Sequence, residues 1–145
     1  MEKKRFKLVP FVSLVLRKDN KILLQRRCNT KYCNHLYACP GGSVDGDESL
    51  IQATIREAKE ELGINLKKED LRIVHVIHFK SQYGEFINFF LEAREWDGEP
   101  RIMEPHKCVD LSWFPLDQLP KDVAPENEIV IKSMIKGILY SESGF

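Results

Sequence analysis

From Cys39 to Ile64 the chain reads CPGGSVDGDESLIQATIREAKEELGI, a Gly-rich turn feeding a helix-forming segment dense in glutamate. Ile51, Ile55, Ala58 and Leu62 recur at the i, i+4, i+7, i+11 spacing of a face that packs on a core. At about 100° per residue, Glu57, Glu60 and Glu61 share roughly a third of the helix circumference on another side. Such crowding costs a few tenths of a kcal/mol per pair unless positive charge sits there. Clustered carboxylates with room for water suit a hard divalent cation such as Mg²⁺. A solvated Glu-rich helix face carries the same residues, and periodicity alone does not separate the two. Asp47 is placed as the N-cap of this helix, and Gly63 as the residue that ends it in a left-handed conformation.

The surrounding elements are short. Leu8 to Leu16 is nearly continuous in apolar residues and predicts a buried strand, with Pro10 near its start. Asp19-Asn20 marks a turn, and Ile22 to Gln25 returns as the partner strand, ending at Arg26-Arg27. Cys28 to Leu36 is polar and irregular, a loop long enough to border a site. Leu71 to Phe79 and Phe86 to Trp96 are strand-like around a turn near Tyr83-Gly84, and Leu111 to Phe114 is a short strand stopped by Pro115. Ile131, Met134, Ile135 and Ile138 predict a second amphipathic helix over Asn127 to Tyr140. This mixture of two helices and short strands predicts an α/β or α+β sandwich, as one domain over residues 1–145.

With 22 basic and 22 acidic residues the formal charge is zero, so no global field favours a nucleic-acid polymer or an anionic membrane. Cys28, Cys33, Cys39 and Cys108 lack CxxC spacing, and the expectation is reduced thiols in a cytoplasmic protein. No apolar run approaches the length of a membrane span, and MEKKRFKLVP lacks a signal-peptide core. His35, His75, His78 and His106 show no ligand spacing.

Gly42, five residues, Glu48, seven residues and then Arg56-Glu57-Ala58-Lys59-Glu60-Glu61-Leu62-Gly63-Ile64 reproduce the pattern G-x5-E-x7-R-E-U-x-E-E-x-G-U, where U is a bulky aliphatic. Ala58 at the first aliphatic position is the one departure. In this pattern the chain resembles the Nudix hydrolases of the MutT type, and the resemblance covers nearly its whole length. It implies an α/β/α sandwich with a mixed sheet between helices, and hydrolysis of a pyrophosphate bond in a nucleoside diphosphate attached to another group.

The resemblance also implies roles. Glu57, Glu60 and Glu61, with the Gly41 carbonyl, are expected to hold Mg²⁺, with Mn²⁺ as the alternative. Glu57 is expected to act as general base, and Arg56 to orient the neighbouring glutamates. Gly42, Glu48 and Gly63 are structural positions of the motif. The run Trp96 to Pro100 places Glu104 at a loop carboxylate of MutT-type enzymes, where a solvated loop residue is the other reading. Arg27 falls where a phosphate is often held and Asn127 where an asparagine contacts the base. A solvated strand-end arginine and a helix N-cap remain open for these two. Tyr37 and Phe79 could stack on a base or pack in the core.

The expected partner is a nucleotide, best matched by a nucleoside triphosphate, 8-oxo-dGTP among the candidates, cleaved by a monomer or homodimer. Nucleotide sugars and dinucleoside polyphosphates are alternatives; Tyr83 lies near the tyrosine position of the latter. The marks of ADP-ribose and NADH hydrolases, the second being SQPWPFPQS, are not evident. A non-catalytic nucleotide sensor is the reading from another class, but the box glutamates and Arg56 are all present. An RNA-binding module would need a basic stripe, for which Arg26-Arg27 and Lys67-Lys68 are too sparse.

Overall fold

A computed structural model describes residues 3–31 and 33–145. Met1 and Glu2 of the N-terminal segment, and Tyr32 of the loop expected over Cys28 to Leu36, lie outside the described residues. The chain runs β1 (Val9–Lys18), β2 (Lys21–Arg27), β3 (Tyr37–Ala38), β4 (Gly41–Ser43), α1 (Leu50–Leu62), β5 (Arg72–Ser81), β6 (Gly84–Ala93), β7 (Cys108–Pro115), α2 (Pro125–Ile135) and β8 (Tyr140–Ser143). β1 lies parallel to β6 and antiparallel to the short β4. β6 pairs antiparallel with β5, which pairs parallel with β8. The β1–β2 hairpin turns the chain into an antiparallel patch in which β2 is flanked by β3 and β7.

Alternation along β1 sends its residues to opposite sides of this mixed sheet. Val12, Leu14 and Leu16 join Ala53, Ala58, Leu62 and Leu91 in a core beneath α1. Val15 joins Ile77, Phe79, Phe90, Val130 and Ile131 in a second core beneath α2. The sheet therefore lies between helices, the α/β/α sandwich expected from the sequence. No helix among the described residues is long and apolar enough to cross a membrane.

Two local expectations are corrected. Asp47 is not the N-cap; it sits in a left-handed turn at φ 64°. Ser49 caps α1 instead, its hydroxyl accepting from Gln52 N while Gln52 Oε1 accepts from Ser49 N. This is the reciprocal S-x-x-Q box, which satisfies two backbone donors where Asp47 could satisfy one. The second helix starts at Pro125 and stops at Ile135, so Ile138 and Tyr140 lie outside it. Gly137, at φ 73°, turns the chain out of the helix and frees Tyr140–Ser143 to add to the sheet edge beside β5. His75, wholly buried on β5, fastens this return through Ile138 O and Ser141 Oγ, each at 2.8 Å.

On α1, Leu62 and Ala58 are fully buried, whereas Ile51 and Ile55 are half-buried at the edge of the same core. Leu62→Ala should therefore cost about 2–5 kcal/mol, and Ile55→Ala distinctly less. Denaturant unfolding of the two variants checks this ordering, and a loss at Ile55 equal to that at Leu62 would contradict it.

Candidate active site at the glycine strand and the glutamate helix

Arg56 is the electrostatic centre of the helix face. Its guanidinium donates to both oxygens of Glu48, at 2.7 and 3.0 Å, in the fork geometry that only arginine provides. The same group donates to Glu57 at 3.0 Å, to Glu60 at 3.3 Å and to the Ser43 carbonyl at 3.2 Å. Glu48 also accepts from Asp45 N at 2.8 Å. The Arg56 bonds, then this backbone bond, hold the Glu48 carboxyl below its usual range. Arg56 thus ties the start of α1, its middle and the end of β4 into one unit.

Glu57 and Glu61 sit deeper than Glu60. Burial first, and then the Glu57 charge, push the Glu61 carboxyl up to about 8. Burial likewise raises Glu57, against the opposing pull of Arg56. Glu61 Oε2 accepts from Gly41 N at 2.9 Å and from Gln25 Nε2 at 3.3 Å, which fixes this carboxylate between β4 and β2. The two glycines make the approach possible. A methyl group on Gly42 would stand 2.5 Å from Glu57 Oε1, and one on Gly41 would stand 2.1 Å from Val12 O. A side chain at Gly41 would push β4 off the β1 backbone, and one at Gly42 would displace the Glu57 carboxylate.

The loop before β7 brings Glu104 to the same place. Arg101 N and Met103 N donate to the carbonyls of Leu62 and Glu61, groups left open at the end of α1. The Glu104 side chain is one-third exposed and lies close enough to raise both Glu57 and Glu61 by its charge. Glu104 therefore shares the neighbourhood of Glu57 and Glu61, with Glu60 beside Glu57.

On the other side of β4 lies a cavity of about 210 Å³. Phe11, Phe79 and Phe86 form its aromatic wall, with Phe79 stacked on Phe86 at 5.2 Å and Phe11 edge-on to Phe86 at 5.5 Å. Arg27, Asn127, Gly41 and Gly42 also line it. Asn127 is the third residue of α2 and not its N-cap, which is Ala124; its Oδ1 accepts from Cys39 N at 2.9 Å. Arg27 Nε is buried without a hydrogen-bond partner among the described residues. Tyr37 lies outside the cavity: its hydroxyl donates to Asp110 and its ring packs on Phe114.

Gln25, Ser13 and Asn88 were not anticipated. Ser13 and Asn88 each interrupt an apolar run, in FVSLV and FINFF, and Gln25 ends the run ILLQ. Gln25 and Ser13 are buried, and burying such groups is costly unless they are bonded to something.

The donor set suits a small divalent cation. Among the described residues no three carboxylates, imidazoles or thiols converge as a preformed cage. Glu57 and Glu61 are nevertheless neighbouring carboxylates held largely out of water, offset by Arg56 at Glu57 and by the Gly41 N–H and, more weakly, Arg27 at Glu61. Mg²⁺ asks for little more than one or two carboxylates, completing its shell with water and phosphate oxygens. Glu60, half-exposed at the rim, is the next oxygen donor along the helix.

The family model described as the NUDIX domain matches residues 7–134. An ADP-ribose pyrophosphatase of Methanocaldococcus jannaschii is 32% identical over 138 residues, covering 94% of this chain and 79% of that protein. The NAD-capped RNA hydrolase NudC of Escherichia coli O157:H7 is 29% identical over 115 residues; the match covers 78% of this chain but only 41% of NudC. A crystal structure of a MutT NUDIX hydrolase from Burkholderia pseudomallei superposes with a TM-score of 0.81 at 28% identity, covering 88% of this chain and 98% of that one. The chain belongs to the Nudix family, as a pyrophosphohydrolase of the MutT type.

Proposed function

We propose that the chain hydrolyses the pyrophosphate bond of a nucleoside diphosphate derivative, best a nucleoside triphosphate, giving the nucleoside monophosphate and pyrophosphate. The observation that carries this reading is β4, a strand of two glycines with the aromatic cavity on one side and the Glu57 carboxylate on the other. A base seated against Phe79 and Phe86 leaves its phosphates to cross a wall without side chains and reach the carboxylates. Arg27, which lines the cavity and whose Nε is buried without a hydrogen-bond partner among the described residues, would donate to a phosphate oxygen on the way.

Glu57, Glu60 and Glu61, with the Gly41 carbonyl, would hold Mg²⁺, or Mn²⁺ in its place. The bound ion would supply charge neutralisation on the phosphate oxygens and a lowered pKa for the attacking water. The chain itself supplies position and proton handling. Arg56 holds the Glu57 carboxylate in one orientation, so that it can take the proton from the attacking water. Glu104 brings a further carboxylate from the loop to the same water or to the ion. Glu48 and Gly63 serve the scaffold, the first by clamping Arg56 and the second by ending α1 in a left-handed turn.

The likeness to the M. jannaschii ADP-ribose pyrophosphatase favours a second substrate, a nucleoside diphosphate sugar, cleaved at the same bond to give a nucleoside monophosphate and a sugar phosphate. A panel of triphosphates, oxidised triphosphates and nucleotide sugars, with products identified by mass, decides between the two. Turnover should vanish in EDTA and return with Mg²⁺. Glu60→Gln should slow it by roughly 10²-fold without changing the fold, because this side chain is half-exposed and off the apolar stripe. Full activity in EDTA would overturn the reading.

Geometry gives a second test. Gly42→Ala places a methyl group against Glu57, so kcat should drop by at least about tenfold while KM changes little. Glu104→Gln should lower kcat with an unchanged Tm, whereas Glu99→Gln, at an exposed position of the same loop, should leave kinetics near parental. Equal, near-parental rates for the two loop variants would remove Glu104 from the site.

A further inference from the structure

Resting on that reading of the cavity as the base site, we infer that the cavity selects a base bearing a carbonyl, a 6-oxopurine or 4-oxopyrimidine, and that Asn88 is the residue that enforces the choice. The inference starts from the polar atoms the cavity offers. Asn127 spends its amide oxygen on Cys39 N, so its nitrogen is the atom left for a ligand. Asn88 is in the same state: the Ser13 hydroxyl donates to Asn88 Oδ1 at 3.1 Å, and its amide nitrogen bonds no other described residue. Arg27 can only donate. Among the described residues no Asp or Glu lines the cavity. The Ser13 and Tyr83 hydroxyls also line the cavity and donate to Asn88 Oδ1 and to Lys31 O. The amide and guanidinium groups available to a base are therefore hydrogen-bond donors set in an aromatic wall.

Asn88 is well fixed for this task. It stands beside Phe11 in the parallel β1–β6 ladder and beside Ile77 on β5, in the middle of the sheet face that forms the cavity floor. Ser13, only 6% exposed, holds the amide from the next position along the same face of β1. An oxo group accepts from such donors, whereas the exocyclic amine of adenine or cytosine would bring donor against donor and leave both unpaired. A site whose amide and guanidinium groups all donate discriminates mainly by that penalty.

The test is equilibrium binding of nucleoside monophosphates to the metal-free protein in EDTA, which requires no turnover. GMP, IMP and UMP should bind the parent chain about tenfold tighter than AMP and CMP, the smaller end of what one good base contact discriminates. Asn88→Asp exchanges the donor for acceptors and should reverse the order. Ser13→Ala releases the amide to rotate and should erase the preference while leaving Tm within a degree or two of the parent. Equal binding of GMP and AMP by the parent chain, or an Asn88→Asp variant that weakens all five ligands alike, would overturn the inference. Neither result touches the hydrolase reading, which stands or falls on metal-dependent product formation. Absence of any monophosphate binding alongside normal Mg²⁺-dependent hydrolysis would remove the base site alone.

Discussion

One guanidinium makes the acidic face of this protein possible. Arg56 bonds Glu48, Glu57 and Glu60 and also takes the carbonyl of Ser43. Without it the helix would carry clustered carboxylates on one face, two of them poorly solvated, and the repulsion would be relieved by protonation or by fraying. With it, the Glu48 carboxyl is held below its usual range and becomes the fixed counter-ion, while Glu57 is held toward β4. An ion pair of this kind contributes less through its Coulomb energy than through the geometry that it imposes. A lysine at position 56 could supply the charge but not the fork that grips Glu48 with two parallel bonds.

The geometry matters because β4 is so thin. Its glycines let a strand of backbone lie between a carboxylate cluster and an aromatic cavity, with Gly41 N bonding Glu61. The two halves of a nucleotide differ in what they need. The base needs apolar walls and a few directed hydrogen bonds, and the phosphates need cations and dry oxygen ligands. A sheet with separate cores on its two faces satisfies both demands at one edge. The second face, closed by α2, supplies Phe79 and Asn127; the first, closed by α1, supplies Glu57 and Glu61.

What was legible in the sequence follows from how local each signal is. The box from Gly42 to Ile64 lies on one turn and one helix, so helical spacing places Glu57, Glu60 and Glu61 on one side and the family resemblance adds Arg56. The cap of α1 is also written locally, as S-x-x-Q at Ser49 and Gln52, two residues beyond the acidic Asp47 that offers a competing cap in the sequence. The end of α2 was misjudged because Ile138 continues an apolar periodicity past Gly137, whose backbone conformation outweighs one more helical contact. Asn88 and Ser13 could not be paired from sequence, because they lie 75 positions apart and meet through the parallel β1–β6 ladder. Their visible trace was a polar residue interrupting each apolar strand.

Glu104 shows how a long-range placement can still be read locally. Its distance from Trp96 in the chain sets its place because the loop is not free to slide. Asp97 and Asn65 exchange backbone hydrogen bonds, and Arg101 and Met103 cap the last carbonyls of α1. These bonds satisfy acceptors that every helix leaves open at its end, so the loop and the helix stabilise each other. They also fix the register: one residue of slip in the loop would break the capping bonds together. The same bonds that end the glutamate helix therefore carry the fourth carboxylate to it, and the position of Glu104 depends on Gly63 turning the chain where it does. Loops that complete a site are commonly described as flexible additions to a rigid scaffold. Here the scaffold's own unsatisfied carbonyls set where the loop must lie.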